Sequence, residues 1–367
     1  MQIYQFGGAV RDKLLGLKPK DLDYLVLNCS EQEFLQAHPG AKKIGHRPYQ
    51  VYLYQNAQYT LSDSQDIYSE LQKKDLTINS LAQDSRGNLV CSELALQDLK
   101  QKKLRPIQSK NFLQDPVRVF RAARLSAKLP DFQIHPELLK AMQEVSDLRL
   151  LDGAVAERLG QELQLTCSTP RPGNFLRLLA DTANLQPWLP ELDNAQNIPA
   201  GPDLNKLSLL QHVAGLMDAA AGKPQLVWLA MCFDLGKIKT DPAYWPRHLL
   251  HDFFGPKVIN SLGTRLRLPL KQIQIAKFAA AWHLAACGYY RLRPGPKVDM
   301  LLGLHNKAFI NDFTDLLKLI QAPELQEVAN RDLQRILEVR LPKAYRNLGP
   351  ESGKILKRLR VKALQES

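Results

Sequence analysis

The apolar pattern of this chain changes once, close to residue 112, and this change limits the folds that the chain can adopt. Before it, turn signals separate short runs of β-forming residues at 3–6, 22–27, 51–54 and 58–61. After it, apolar residues recur at i, i+3 and i+4 spacing, and prolines break the pattern into blocks. The pattern predicts an α+β protein in which a small mixed α/β head precedes an all-helical remainder.

The composition excludes several classes of protein. With 45% hydrophobic and 23% charged residues, the chain is neither disordered nor collagen-like nor a coiled coil. Its apolar runs, including the one that contains 227–233, are far shorter than the ~18 residues of a membrane span, so no membrane contact is expected. Five cysteines without a C-x-x-C pair fit neither a disulfide framework nor a zinc site. Because the first residues also lack the pattern of a secretory signal, we expect a cytoplasmic protein.

The charge balance favours an anionic partner. The net charge of +12 is typical of a nucleic-acid-binding protein, although a solvated basic surface would give the same value. Near the end of the chain, basic and apolar residues alternate at helical spacing over 354–362. This segment predicts an amphipathic helix that either contacts RNA phosphates or presents a solvated face.

Two carboxylates open the second predicted strand. Asp21 and Asp23 are two positions apart, so in a strand their side chains point to the same face. Paired carboxylates suit Mg²⁺, and two such ions activate an attacking hydroxyl and neutralise a leaving pyrophosphate. The alternative for an isolated pair of this kind is a polar turn before a strand.

A glycine turn and an arginine precede that pair. Gly7 and Gly8 lie between a predicted strand and a predicted helix, where backbone N–H groups can hold phosphate. Arg11 lies one helical turn further on and can bind a phosphate bidentately. Asp12 is predicted to act either as a helix cap or in a structural ion pair.

Taken in their order along the chain, these motifs resemble those of a known family. GGAVRD at 7–12 with DLD at 21–23 is similar to the bacterial class II tRNA nucleotidyltransferases, which are the CCA-adding enzymes and their poly(A) polymerase relatives. KKDLTINSLA at 73–82, QDPVRVFRAAR at 114–124 and Glu157-Arg158 with Glu162 resemble three further motifs of that family. The resemblance implies a polymerase-beta-like nucleotidyltransferase head at 1–112. It implies a helical neck at 113–190, a body at 191–310 and a tail at 311–367.

The resemblance also implies a role for each matched residue. Asp21 and Asp23 would hold Mg²⁺ and act as the catalytic residues. The nucleotide-binding residues would be Gly8, Arg11 and Lys74 at the phosphates, Asp115 and Arg118 at the base, and Arg121 and Arg124 elsewhere in the pocket. The implied partners are the tRNA 3′ end, CTP and ATP, and the implied reaction adds C, with addition of A left open, and releases pyrophosphate.

Departures from the family pattern keep two alternatives open. The segment between Asp23 and Asp75 is shorter than in typical members, and the part that is shortened corresponds to the loop that in the family helps the pocket switch from C to A. Lys74 stands where the family has arginine, and Asp63 is a candidate third carboxylate without its usual motif. One alternative is therefore a C-only adding enzyme or a poly(A) polymerase. The other is a catalytically weak RNA-binding homologue.

The predicted body resembles a metal-dependent phosphohydrolase domain of the H…HD…D type. His212, residues 232–237, residues 245–248 and His251 match this domain. Phe233 replaces the histidine of the HD doublet, and the last position reads His283-Leu284 without a carboxylate. Since a site that lacks ligands loses metal affinity, we expect an inactive, structural phosphohydrolase domain.

Overall fold

The computed structural model describes residues 1–19, 22–45, 50–64, 66–204, 206–322 and 324–365. The chain forms two compact units. The first unit comprises Met1–Ala154 with Asp181–Asn184, and the second comprises Val155–Ala180 with Leu185–Ser367. None of the described helices combines the length with the continuous apolar character that a transmembrane span needs.

The first unit is built on a mixed sheet. Its described residues contribute seven strands in the order β3-β4-β5-β2-β1-β6-β7, in which only β2 and β5 pair in parallel. The strands are β1 (Gln2–Phe6), β2 (Leu22–Leu27), β3 (Lys42–Ile44), β4 (Val51–Tyr54), β5 (Ala57–Leu61), β6 (Leu81–Gln83) and β7 (Leu89–Cys91).

Helices cover both faces of this sheet because β2 carries apolar side chains on both sides. Leu25 and Leu27 pack with Leu71 on one face, whereas Val26 packs with Phe34 on the other. The helices of the unit are α1 (Gly8–Leu14), α2 (Glu31–Ala37), α3 (Ile67–Gln72), α4 (Glu93–Lys100), α5 (Ser109–Gln114), α6 (Arg118–Lys128) and α7 (Pro136–Asp147). Thr77–Asn79 and Leu150–Gly153 form 3₁₀ turns.

Apart from an isolated β-bridge between Pro199 and Ser208, the regular secondary structure of the second unit is helical in its described residues. Its α-helices are α8 (Ala156–Thr166), α9 (Gly173–Asp181, whose last residue belongs to the first unit), α10 (Pro190–Asn194), α11 (Leu209–Ala219), α12 (Pro224–Cys232), α13 (His251–Arg265), α14 (Leu270–Cys287), α15 (Pro294–Asn306), α16 (Ile310–Leu319), α17 (Gln326–Glu338) and α18 (Pro350–Gln365). Its 3₁₀ turns are Ala195–Asn197, Pro202–Leu204, Leu235–Lys239, Pro242–Tyr244, Tyr289–Arg291 and Lys343–Tyr345.

The α+β prediction is confirmed, and so are the four apolar runs predicted as strands. The sequence also predicts a hairpin around residues 55–57, and β4 and β5 form it. Gln55 and Asn56 have φ values of 47° and 62°, as a two-residue turn between twisted strands requires.

One short strand, Gln133–Ile134, departs from the predicted all-helical remainder. Lys103–Leu104 (β8) and Gln133–Ile134 (β9) pair in parallel. Each has only two residues, which is too short to show an alternating apolar pattern.

Candidate active site

The predicted site gathers at one end of the sheet, where β1 ends and β2 begins. These strands are antiparallel and Gln5 pairs with Tyr24, so Phe6 and Asp23 are the next pair of positions. Asp23 is half-buried there. Asp21, the other predicted metal ligand, lies outside the described residues.

Gly7 makes the turn from β1 into α1. Its φ of 71° and ψ of −134° are accessible almost only to glycine. The Gly7 N–H donates to the Leu81 carbonyl at 2.8 Å, which ties the turn to β6. Gly8 is the first residue of α1, and a Cβ at this position would lie 3.4 Å from Arg11 Nη2. The missing side chain of Gly8 therefore leaves room for the Arg11 guanidinium.

Arg11 is buried and held by neighbouring polar groups. Its Nε and Nη2 donate to Asp12 Oδ1 at 2.9 and 2.6 Å, and its Nη1 donates to Asn79 Oδ1. The other Asp12 oxygen accepts from Lys128 Nζ at 2.6 Å. Of the two predicted roles for Asp12, the ion pair is confirmed.

Lys74 lies close to both Asp23 and the glycine turn. Its Nζ is 3.7 Å from the centre of the Phe6 ring, in cation–π geometry. Burial lowers the pKa of Lys74 to about 8, although the negative charges of Asp75 and Asp23 oppose this shift. Lys74 therefore places a cation that can lose its proton near neutral pH beside a predicted metal ligand.

Asp75 is buried next to Lys74 and links two groups of the site. Its Oδ1 accepts from the Leu76 N–H and from Asn79 Nδ2, both at 2.8 Å. Its Oδ2 makes no hydrogen bond within the described part of the chain and lies 4.0 Å from Arg121 Nε. Burial disfavours ionisation, but Arg121 and the bond from Asn79 hold the pKa of Asp75 below its usual value.

The predicted base-reading residues lie at the start of α6. Asp115 ends the preceding helix α5, and α6 begins three residues later at Arg118. Pro116 follows Asp115 and disfavours helical geometry for it. Asp115 Oδ2 is 3.7 Å from Arg118 Nε, so the two charges still lie together. Arg124 is half-buried further along α6.

Arg118 also binds the backbone of the segment that carries Lys74. Its Nη2 donates to the Lys73 carbonyl at 2.7 Å and its Nη1 to the Lys74 carbonyl at 3.3 Å. Asn111, which no sequence motif singles out, donates through Nδ2 to the Gln72 and Lys74 carbonyls, both at 2.8 Å. The backbone of 72–74 is thus held by side chains more than 30 residues away along the chain.

Asp63 does not join this group. β2 and β5 are parallel and Asp23 pairs with Gln58, whereas Leu61 pairs with Val26. At about 3.3 Å per residue, the end of β5 is already ~10 Å from Gln58, and Asp63 lies beyond it. The position opposite Asp23 is therefore an amide, and the expectation of a third carboxylate at Asp63 is wrong.

A second cluster lies in the second unit. Asp234, His251 and His283 are buried, and one ligand atom from each lies within 4.8 Å of the others, so together they could hold a metal ion. His251 Nδ1 lies 2.7 Å from the His248 carbonyl and His283 Nδ1 lies 2.8 Å from the Ala280 carbonyl. This arrangement turns both Nε2 atoms inward, 3.0 Å apart.

The same cluster contains a cation from the protein itself. Lys237 Nζ donates to Asp234 Oδ2 at 2.7 Å. Burial disfavours ionisation of Asp234, but Lys237 and the two histidines hold its pKa well below the usual value. Phe233, at the doublet position, packs its ring against His283 at 5.2 Å.

Gly236 allows this cluster to form. A Cβ at Gly236 would lie 1.9 Å from the His251 carbonyl oxygen, so only glycine lets the turn at 235–239 approach α13 this closely. His212, on α11, is half-buried, and burial lowers its pKa while Asp234 opposes that shift.

The first unit has the features of a nucleotidyltransferase. A glycine turn and a carboxylate lie at one end of the sheet, with Arg11 beside Gly8 and Lys74 over the Phe6 ring. This combination provides oxygen ligands for a divalent metal and positive charge for a triphosphate.

Comparisons with known proteins agree with this class. A family model described as the probable RNA and SrmB-binding site of polymerase A matches residues 131–196. A multifunctional CCA protein of Xanthomonas campestris pv. campestris is 30% identical over 100% of this chain and 99% of that protein. The chain belongs to the family of multifunctional CCA proteins, which are CCA-adding tRNA nucleotidyltransferases.

Solved structures share the fold. The Thermotoga maritima CCA-adding enzyme complexed with tRNA_CCA matches with a TM-score of 0.63 and 18% identity, covering 100% of this chain and 88% of that one. The complex structure of a CCA-adding enzyme with ATP matches with a TM-score of 0.65 and 17% identity, covering 100% and 88%.

Proposed function

We propose that this protein transfers CMP from CTP, and then AMP from ATP, to the 3′ end of tRNA with release of pyrophosphate. The match to a multifunctional CCA protein over the whole chain carries this proposal. The geometry supports it, because Asp23, the Gly7–Gly8 turn, Lys74 and Arg11 belong to one end of the sheet.

Mg²⁺ is the metal we propose for Asp21 and Asp23. The hard carboxylate oxygen of Asp23, half-buried at the sheet edge, suits this ion. When bound, Mg²⁺ lowers the pKa of the attacking hydroxyl and neutralises charge on the leaving pyrophosphate.

The cationic side chains of the first unit would bind the triphosphate. The guanidinium of Arg11 lies beside Gly8, and the ammonium of Lys74 lies close enough to Asp23 for their charges to interact. Neither group is fully solvated, so each attracts phosphate more strongly than a surface charge would.

Asp115 and Arg118 would read the base. A carboxylate accepts hydrogen bonds and a guanidinium donates them, so the pair fits the mixed edge of C or A. Arg118 also donates hydrogen bonds to the Lys73 and Lys74 carbonyls. These bonds would keep the base-reading side chain at a constant distance from the phosphate-binding lysine. Arg121, beside Asp75, and Arg124 would complete the pocket.

One assay separates this proposal from its alternatives. Purified protein is incubated with tRNA transcripts that end before CCA or after CC, with each nucleotide supplied singly, and products are sized on a gel. Addition of two C residues and then one A is expected. Extension by C alone would favour the C-only enzyme, and long A tails would favour the poly(A) polymerase. Binding of tRNA without extension would favour the weak RNA-binding homologue.

We propose that the second unit has no phosphohydrolase activity. Phe233 removes one ligand from the doublet, and Lys237 occupies one oxygen of Asp234. Metal-dependent hydrolysis of a 2′,3′-cyclic phosphate that disappears in Asp234→Ala would contradict this. The division at 1–112, 113–190, 191–310 and 311–367, the cytoplasmic location and the contact of 354–362 with tRNA remain predictions.

A further inference from the structure

We propose that Lys128 is a positioning residue for the triphosphate, which acts by holding Asp12 and thereby Arg11. This inference rests on the proposed function, in which Arg11 binds the triphosphate of the incoming nucleotide. Lys128 is the last residue of α6, whereas Asp12 and Arg11 belong to α1. The contact therefore connects two helices that each carry predicted site residues.

The Asp12 carboxylate binds two cationic side chains, one through each of its oxygens. Its Oδ2 accepts from Lys128 Nζ at 2.6 Å, and its Oδ1 accepts from Arg11 Nε and Nη2 at 2.9 and 2.6 Å. The side chains of Asp12 and Arg11 are exposed by only 6% and 4%, so solvent screens these bonds weakly. With both oxygens engaged, Asp12 cannot rotate without breaking a charged hydrogen bond.

The charges of this group do not cancel. Arg11 and Lys128 supply two positive charges and Asp12 supplies one negative charge, so the three together carry a net charge of about +1. An Arg11–Asp12 pair alone would be neutral and would attract a triphosphate weakly. Because Lys128 balances Asp12, the charge of Arg11 remains effective toward an anionic ligand.

The group also fixes the direction of the Arg11 guanidinium. Nη1 donates to Asn79 Oδ1, and Asn79 Nδ2 donates in turn to Asp75 Oδ1 at 2.8 Å. Among the described residues, these bonds use three of the five N–H groups of Arg11. The guanidinium lies against Gly8: an added Cβ would be 3.4 Å from Nη2 and 3.8 Å from both Cζ and Nη1. The two N–H groups that these bonds do not use, one on Nη1 and one on Nη2, are those that we assign to the phosphate.

The two residues of α6 that contact this network lie on one face of the helix. Arg121 and Lys128 are seven residues apart, which is about two turns. Arg121 lies 4.0 Å from Asp75, and Lys128 bonds Asp12. The network thus runs from α6 through Asp12, Arg11, Asn79 and Asp75 and returns to α6.

The test compares Lys128→Met, Lys128→Arg and a control, Lys140→Met, in which an exposed lysine of α7 loses the same charge. We measure kcat and KM for CTP in the addition of C to a tRNA transcript that ends before CCA. We also measure inhibition by inorganic triphosphate, which has no base. Lys128→Met is expected to raise the KM for CTP and the inhibition constant of triphosphate roughly tenfold each, with kcat changed much less. Lys128→Arg is expected to stay close to wild type.

Three results would overturn this inference. The first is an unchanged KM and inhibition constant in Lys128→Met. The second is an equal loss in Lys128→Met and Lys128→Arg, which would indicate a purely structural role. The third is a rise in KM for CTP without weaker inhibition by triphosphate, which would place the effect at the base.

Failure of the proposed function would be seen separately, as a wild-type protein that extends no tRNA. Equilibrium binding of inorganic triphosphate to wild type and the three variants would then decide the role of Lys128. Weaker binding in Lys128→Met alone would support the inference, and equal binding in all four proteins would overturn it.

Discussion

Replacement of Lys74 with methionine is expected to stabilise the first unit and to weaken nucleotide binding. Burial lowers the pKa of Lys74 from 10.5 to about 8. Since the unfolded chain holds this proton more tightly than the folded one, the charged lysine costs free energy of folding at pH 7. At about 1.4 kcal/mol per pKa unit, the cost is at most about 3 kcal/mol.

Methionine keeps the length of the side chain and removes the charge. We expect Lys74→Met to raise the free energy of unfolding of the first unit by about 1–3 kcal/mol at pH 7. The gain is full below pH 8 and declines as the pH rises toward 10.5, because folded wild type then releases the proton itself. The same variant is expected to raise the KM for CTP, since a cation near Asp23 is lost.

Each unit can be followed separately in this experiment. Trp188, Trp228, Trp245 and Trp282 are the four tryptophans of the chain and all belong to the second unit, so their fluorescence serves as an internal control. Hydrogen exchange of peptides from the first unit at pH 7 and pH 9, corrected for intrinsic rates, gives the change in stability.

A neighbouring lysine provides the matched control. The Lys73 side chain is 62% exposed and pairs with Glu70 at the surface, so Lys73→Met is expected to lower stability by no more than about 1 kcal/mol. Destabilisation of the first unit by Lys74→Met, or a gain in stability as large at pH 9 as at pH 7, would contradict a buried charge at Lys74 that costs folding free energy.

Other positions give independent tests. The KM for CTP is expected to rise between pH 7 and pH 9 as Lys74 loses its charge around pH 8, and a flat profile would count against its role at the phosphates. Gly236→Ala is expected to disrupt folding of the second unit, because its Cβ would lie 1.9 Å from the His251 carbonyl. Gly215→Ala on α11, where the added Cβ meets nothing within 4 Å, is expected to stabilise the second unit by about 0.5–1 kcal/mol. Unfolding transitions of the two glycine variants that coincide when followed by tryptophan fluorescence would contradict both expectations. Asn111→Asp replaces a donor to two carbonyls and is expected to destabilise the first unit by about 2–4 kcal/mol, seen as faster hydrogen exchange, whereas wild-type protection would contradict it.

Local patterns in the sequence predicted the parts of the fold that depend on local forces. The strand at 22–27 and the hairpin at 51–61 follow from apolar alternation and turn residues, and both are present. The short strands β3, β6, β8 and β9 were not foreseen, since two or three residues form a strand only when a distant partner supplies the hydrogen bonds.

The sequence motifs identify the residues of the candidate site, but they do not predict the hydrogen bonds between those residues. The motifs identified Arg11, Lys74 and Arg118 but gave no sign that Arg118 would hold the Lys74 backbone. Lys128 lies 116 residues from Asp12 in sequence, so no spacing rule links them. Such pairs depend on how the helices pack, which periodicity does not encode.

We infer that the end of the sheet at Asp23 is the catalytic centre for tRNA extension. The decisive measurement compares the rate of C addition by wild type with that of the double variant Asp21→Ala, Asp23→Ala on a tRNA transcript that ends before CCA. Wild type is expected to add C in the presence of Mg²⁺, whereas the double variant, still folded by hydrogen exchange, is expected to add essentially none. Extension by the double variant at the wild-type rate would show that the catalytic centre lies elsewhere.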